Sequence, residues 1–326
     1  MRKPLNTILL LAVSSLPLQA TAQPANIYPA KPIRMVVGFA PGGGNDILAR
    51  LIAPPLSARF GQQVVIDNRP GAGGTLAGAL TAKSEPDGYT LFVSSLGSHG
   101  VGPNLYRNLG YDPIRDFEPI SLLAMTPIVL VVGKTLPEVQ SVQNLIAVAK
   151  AKPGFVRYAS GGFGAPPHTA AAVFETMTGT RMQHVPYKGG GPAIVGLQAG
   201  ETHVMFGPAS TLLAQAKAGR VRALAIARSN RLPAFADVPT FAEAGLADYA
   251  ANAWFGLHAP AKTPKPVIAL WHRQVVHAIN LPELNDRFTD ADLERIGSTP
   301  GELDQFVRKE LFKYARVVKE TGMTIQ

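Results

Sequence analysis

The 326 residues are enough for two domains with cores of their own, and a composition of 46% hydrophobic and 16% charged residues excludes a disordered or fibrous chain. There is no cysteine, which excludes disulfide staples and a lipidated-cysteine anchor. The formal charge is +9, yet no run of Lys and Arg exceeds two and no zinc-finger or RNP-like spacing occurs, so the charge reads as a solvated surface that mildly steers anions, and nucleic acid is not an expected partner.

Residues 1–22 read as a secretory signal peptide: Arg2 and Lys3, an apolar run over 8–16 too short to span a bilayer, and Ala20-Thr21-Ala22 as an A-x-A cleavage signal. The mature chain is expected to start near Gln23, outside the cytoplasm. "RMVVGFAPGGGNDILARLIAPPL" (34–56) then predicts strand, glycine turn and helix, and a glycine turn that opens a helix usually faces an anion, because unpaired N–H groups and the positive end of the helix dipole converge there. A strand over 64–67, a second glycine turn, a helix over 75–83 and a strand over 89–94 repeat the theme and imply parallel pairing. Two apolar runs follow, 120–124 and 128–132, split at Thr126-Pro127; proline cannot donate to a ladder, so one continuous interior strand is not expected there unless it passes between two domains.

A second α/β series runs from the helix stopped at Pro153-Gly154 through "VRYAS", the turn "GGFGAPPH", a helix ended by Gly179, a strand over 182–185, the "YKGGGP" turn, and alternating segments to "RALAIA". "ANAWFGLHAPAKTP" predicts a second crossing strand. Two helices close the chain, the first with Thr263 as N-cap, the second with Thr299 as N-cap, Pro300 and a capping-box Glu302. The expected organisation is a first lobe of 28–126 plus 254–326 and an inserted second lobe of 127–253, with the glycine turns gathered at the carboxyl ends of the strands around one cleft.

The glycine turns fail as nucleotide motifs. No glycine is followed by Lys and Ser or Thr, and "GFGAPP" and "GAGGTL" lack the third glycine of a dinucleotide turn. The esterase elbow is missing at "VSSLG", His272 and His277 have the wrong spacing for ligands on one helix face, and no H-E-x-x-H occurs, so no metal site is expected. What remains is a set of neutral donors at turns: the backbone of Gly42, Gly43, Gly44 and Asn45; Ser94, Ser95 and Ser98; Ser160 with the 161–164 backbone; and Tyr187 with the following glycines. Charge-assisted hydrogen bonds from such donors are worth about 1.5–3 kcal/mol each, enough for a small carboxylate. Asp46 would repel an anion and reads as a cap or a brace of the turn. His99 and His168 are either ligand donors or structural histidines. Trp254 and Phe255 read as hinge or core residues, with a cleft wall as the alternative, and the "KGGG" glycines either make a tight turn or approach the ligand.

Long stretches of the chain, among them "YPAKPIRMVVGFAPGGGNDILARLIA", "VVIDNRPGAGGTLAGALTAKSEPDGYTLF", "HVPYKGGGPAIVGLQAGETHVMFG" and "DVPTFAEAGL", resemble the receptors of tripartite tricarboxylate transporters, the Bordetella uptake gene family. The resemblance covers about residues 28–322. It implies a two-lobed type II periplasmic binding fold, each lobe a mostly parallel sheet flanked by helices, with no catalysis and no cofactor. It also implies a monomer in the periplasm that closes on a small organic acid, its partner being the membrane subunits of a transporter.

Carried over by motif, one jaw is Phe39, Ala40, Gly43, Gly44, Asn45 and Asp46 and the other runs from Ser160 through Gly164 and Ala165 to His168. Ser94, Ser95, Ser98 and His99 would line the cleft from the first lobe, and Tyr187 and Gly207 from the second. Ala165 stands where the family often has Ser or Thr, and Gly207 where some members have Asp; both imply a roomier, less polar cleft and a larger or less charged carboxylate. The alternatives are an orphan sensor that reports ligand to a signalling protein, and a secreted hydrolase for which Ser160 and His168 would be the pair to inspect.

Overall fold

The computed structural model describes residues 28–324 except 233, 234, 248 and 250; the expected signal peptide lies outside them. Strand β1 (Ile33–Val37) is buried at four of five positions, as a strand covered on both faces must be, and it feeds through a glycine turn into α1 (Gly44–Phe60). Strands β2 (Val64–Asn68) and β3 (Thr90–Ser95) pair with β1 in parallel on its two sides, and α2 (Thr75–Ala82) lies on the connection between them. A π-turn over Gly97–Val101 and the short α3 (Gly102–Leu105) follow.

Strand β4 (Phe117–Val132) is continuous for 16 residues. Up to Pro127 it pairs antiparallel with β9 (Asn252–Pro260), which in turn pairs antiparallel with β3. From Ile128 onward β4 pairs instead with β7 (Val204–Pro208) and β8 (Arg222–Ile226). The break expected at Thr126-Pro127 is therefore a change of partners within one strand. Pro127 sits opposite Asn252, the first residue of β9, at the handover between sheets, where a missing donor interrupts neither ladder internally.

Strands β5 (Arg157–Ser160) and β6 (Gln183–Pro186) extend the second sheet in parallel beyond β7, giving the order β2-β1-β3-β9-β4-β7-β5-β6, with β8 and the short β10 (Glu294–Arg295) also on β4. Helices α4 (Val142–Ala151), α5 (Pro166–Thr178), α6 (Gly190–Ala199) and α7 (Ala209–Lys217) belong to this half. The chain then returns through α8 (Lys265–Ile279), α9 (Asn285–Asp290) and α10 (Pro300–Thr321) to the first.

Helix α10 starts with the expected capping box: Thr299 Oγ1 accepts from Glu302 N–H while Glu302 accepts from Thr299 N–H. Val307 and Tyr314 of its apolar stripe are buried against Leu96, Leu122 and Trp254, so this helix covers the first sheet. At α8 the expected cap is displaced. Thr263 donates its hydroxyl back to Pro260 O, and the helix opens at Lys265 from Pro264, whose fixed φ pre-sets the entry without a side-chain cap.

Candidate functional site

Four helices begin around one half-open space between the two sheets. Its walls are Phe39, Gly43, Gly44 and Asn45 from the start of α1; Gly161, Ala165, Pro166 and Pro167 from the start of α5; Gly190 from α6; Pro208 and Thr211 from α7; and Ala253 and Phe255 from β9. The space is about 30 Å³, room for one or two waters and far below the roughly 300–1,000 Å³ of small-molecule sites, so the jaws are drawn together here and must part to admit a ligand. The N-cap residues of these helices, Gly43, Ala165, Gly189 and Pro208, all lack a side-chain cap, so the partial positive charge of each start is left for whatever occupies the space. They contribute unequally. In α5 the first two positions are prolines without N–H, and His168 N–H bonds Ala165 O, so that helix offers its dipole and an apolar wall. Free backbone donors come from the starts of α1 and α6.

Two hydroxyls at the start of α7 are buried without any partner, Ser210 Oγ and Thr211 Oγ1. Ser210 Oγ lies 3.1 Å from where a Cβ on Gly44 would stand, and its own N–H is taken by Thr126 Oγ1 at 3.3 Å. Thr211 is on the cavity wall. A buried hydroxyl left unpaired costs about 1–3 kcal/mol, and a ligand that pairs it recovers that cost. No Lys, Arg, His, Asp or Glu is among the wall residues.

The two halves are closed on each other by backbone. Ala40 N–H donates to Lys188 O at 3.1 Å. A Cβ on Gly191 would stand 2.3 Å from Pro41 O, and one on Gly73 would stand 2.4 Å from Phe163 O. Tyr106 donates its hydroxyl to Phe163 O at 3.3 Å. The "KGGG" glycines thus serve close approach of the two jaws.

The structure brings five of the expected side chains or glycines to the wall: Phe39, Gly43, Gly44, Asn45 and Ala165. Asn45 is held there by its amide, which reaches Val93 O at 3.4 Å. Asp46 is behind the wall and braces the turn, accepting from Gly42 N–H at 3.0 Å, from Arg50 Nε at 2.9 Å and from Asn68 Nδ2 at 2.9 Å. Burial pushes its carboxyl up, but the Arg50 pair and the two other donors outweigh that and hold it below the usual carboxylate range.

Several expected contacts lie elsewhere. Ser94 Oγ pairs with His258 Nδ1 at 2.8 Å, and Ser98 bonds Ser95 backbone and His99 Nδ1. His99 is fully buried among Phe92, Tyr111, Phe117 and His258, and burial, then the neighbouring His258, hold its pKa well below the ordinary value. It is a core residue because the π-turn directs it under the sheet. Ser95, also buried, is not on the wall. Ser160 Oγ accepts from Gly162 N–H at 3.0 Å and meets His184 Nε2 at 2.6 Å, not His168.

His168 Nδ1 accepts from Gly164 N–H at 3.0 Å, which leaves both residues framing the jaw from behind. Tyr187 reaches Glu201 with its hydroxyl, 2.6 Å away, and its ring covers Gly196 outside the cavity. A Cβ on Gly207 would stand 2.8 Å from Leu212 Cδ1 and 3.2 Å from Met205 Cε, so that position faces the packed layer under α7, and its glycine adds no room to the cleft. Phe255 is the cleft wall and Trp254 is core, edge-on to Phe306 with its Nε1 donating to Glu310 at 2.9 Å. Gly190, one of the expected "KGGG" glycines, is on the wall, whereas Thr211 and Pro208 are wall residues not anticipated; "GPASTL", a strand end running through proline into hydroxyls at a helix start, is the signal that marks them.

The sequence of residues 48–323 matches the profile of the tripartite tricarboxylate transporter family receptor. The chain is 37% identical over 303 residues to BugT of Bordetella pertussis, covering 93% of each. Among solved structures, the periplasmic binding protein BugD is 30% identical with a TM-score of 0.88, over 92% of this chain and all of that one. A Rhodopseudomonas palustris protein solved with adipate is 34% identical with a TM-score of 0.87, over 91% of this chain and 99% of its own. MatC of the same organism, solved with malate, is 33% identical with a TM-score of 0.85, over 89% of this chain and all of its own. These similarities establish the two-lobed periplasmic binding fold. No helix among the described residues is long and apolar enough to cross a membrane.

Proposed function

The chain belongs to the tripartite tricarboxylate transporter family of receptors, and we propose that this periplasmic solute-binding receptor takes a small organic carboxylate into the cavity between its lobes and delivers it to a membrane transporter of that type. The observation that carries the reading is the convergence of four uncapped helix starts and the orphaned Thr211 hydroxyl on one interlobe space without a cationic side chain. An anion there is held by dipoles and neutral donors. The adipate and malate found on structural neighbours are of the same class.

The wall also argues about which carboxylate. It has no Asp or Glu to meet an ammonium group, since Asp46 is committed to Arg50, Asn68 and Gly42, and it carries two phenylalanines, three prolines and two alanines. Carboxylates without an amino group, with an apolar body and one further polar group for Thr211, fit best. The loss of Ser or Thr at Ala165 supports this; Gly207 does not bear on it. The lobes are 28–126 with 254–326, and 127–253. Opening turns on β4 at 125–127 and on β9 at 253–258, where β4 changes sheets.

A thermal-shift panel of aliphatic and aromatic mono- and dicarboxylates, with aspartate and glutamate included, tests the reading. Stabilisation by one of the amino-free acids, about 2.7 kcal/mol at a hundredfold excess over Kd, is the expected result. Tight binding of aspartate or glutamate alone would overturn the assignment, and identical small-angle scattering with and without a saturating acid would overturn the hinge. Delivery is tested by loss of uptake of that acid in a strain lacking this receptor.

A further inference from the structure

We propose that His168 and His184, which do not line the cavity, are positioning residues that hold the second jaw in its binding shape by occupying the hydrogen-bonding groups of residues 160–164 that face away from the ligand. The inference rests on the reading of that jaw as part of a carboxylate site.

The loop needs such a brace. Gly162 and Gly164 have φ of 119° and 75°, conformations that no ladder or helix supports. Their N–H groups go to side chains, Gly162 to Ser160 Oγ and Gly164 to His168 Nδ1. Ser160 is in turn fixed by His184 Nε2. The two imidazoles stack on each other, centroids 4.2 Å apart and 10° from parallel. Tyr158 stacks on His184 at 4.9 Å, and Phe163, itself part of the loop, stands edge-on to both rings. The loop is therefore gripped at its start through Ser160, in its middle by Phe163, and at its end by His168. Glu175 and Arg181 are the charged groups that share the groove along this stack.

The grip requires a neutral His168, whereas His184 Nε2 can pair with Ser160 Oγ as donor or acceptor, since that hydroxyl also reaches Gly162 O at 3.1 Å. Gly164 N–H donates to His168 Nδ1, so the proton of that imidazole is on Nε2; a proton on Nδ1 would set two donors against each other. Burial lowers His168 to about 4, and burial followed by the neighbouring His168 lowers His184 to about 3, so both stay neutral across the range in which a free histidine charges.

Three variants and three readouts test this. Asn at 168 can present Oδ1 where Nδ1 stands, Leu at 168 cannot, and Ser160→Ala cuts the link to His184 with little change of volume. In the ligand-free protein, nitrogen-15 spectra should show His168 as the Nε2–H tautomer with no titration down to about pH 5. Hydrogen exchange at Gly164 should be slow in wild type and in His168→Asn and about tenfold faster in His168→Leu. Affinity for the strongest-binding acid of the panel should fall about tenfold in His168→Leu and Ser160→Ala and recover in His168→Asn. His168 titrating near 6.5, or an unchanged Gly164 exchange rate and affinity in both His168→Leu and Ser160→Ala, would overturn the proposal. If His168→Leu does not fold, Ser160→Ala and the tautomer decide. If no acid of the panel binds, the carboxylate reading fails, while Gly164 exchange and the tautomer still judge the brace.

Discussion

The two jaws do one job with opposite chemistry. Each is a glycine loop that opens a helix toward the cleft and has N–H groups tied down from behind. In the first jaw the tie is ionic: the Asp46 carboxylate takes Gly42 N–H and is itself neutralised by Arg50 and Asn68. In the second it is uncharged, a hydroxyl and an imidazole taking Gly162 and Gly164. A carboxylate close to a bound anion would repel it, so the first jaw needs Arg50 as a counter-charge, which sits half-exposed at the lobe surface. The second jaw is backed by the stacked rings, which line a groove with Glu175 and Arg181, and it is tied by groups that carry no charge. The comparison shows that a glycine turn can be held by an uncharged tie as well as by a carboxylate, and that only the carboxylate needs a counter-charge.

Disturbing each brace should separate them. The largest effect is expected from Asp46→Ala, which strands three donors at a nearly buried position and should cost about 3 kcal/mol in urea unfolding, with Asp46→Asn costing less. A loss below about 0.5 kcal/mol would mean that the first jaw is shaped by its glycines alone.

Gly191→Ala tests contact between the halves: its Cβ would meet Pro41 O at 2.3 Å only while the lobes are together. It should leave unfolding nearly unchanged and weaken acid binding by about 1–3 kcal/mol, with a larger radius of gyration in the presence of ligand. Wild-type compactness under ligand would contradict this.

Acid should reveal the two braces at different pH. His99, His168, His184 and His258 have folded pKa values depressed chiefly by burial, so the unfolded chain binds protons that the folded chain refuses once pH falls below about 6.5. Stability is full above that pH and should fall below it by up to about 1.4 kcal/mol per pH unit for each histidine, and His168→Asn should make the slope shallower by one such share. Asp46, with its folded pKa lowered, gives stability that is present above about pH 4 and lost below, so Asp46→Asn should lower the curve above that pH and flatten its slope only below it. Urea midpoints across pH would show both effects. Thr211→Val, which touches neither brace, should have the smallest effect: about 1 kcal/mol weaker binding of the preferred acid by calorimetry, with stability unchanged or slightly raised because an unpaired hydroxyl is gone.

Main-chain features of the site are legible in the sequence, and side-chain ones are not. Glycine and proline punctuation located the starts of α1, α5 and α6, and with them Phe39, Gly43, Gly44, Asn45 and Ala165, because those residues act through local backbone geometry. Hydroxyls and imidazoles near strand ends were ambiguous for a physical reason. Ser94 turns toward His258, 164 residues away, and Ser160 toward His184, pairings that depend on which strands become neighbours. Thr211 was hidden by the same dependence, since its environment is made by α1 and β9. Pro127 shows the converse: the local rule about proline was sound, but its setting at a handover between sheets was not local information.

The uncapped helix starts have one more consequence, for ionic strength. An exposed ion pair between ligand and a lysine would weaken as salt rises, whereas aligned peptide dipoles act only over the last turn and, with a ligand filling the cleft, are shielded from mobile ions. The basic exterior can still hasten the arrival of an anion in dilute medium, and that contribution fades with salt. Dissociation of the acid should thus be nearly indifferent to the osmotic and ionic swings of the space outside the inner membrane, while its association slows.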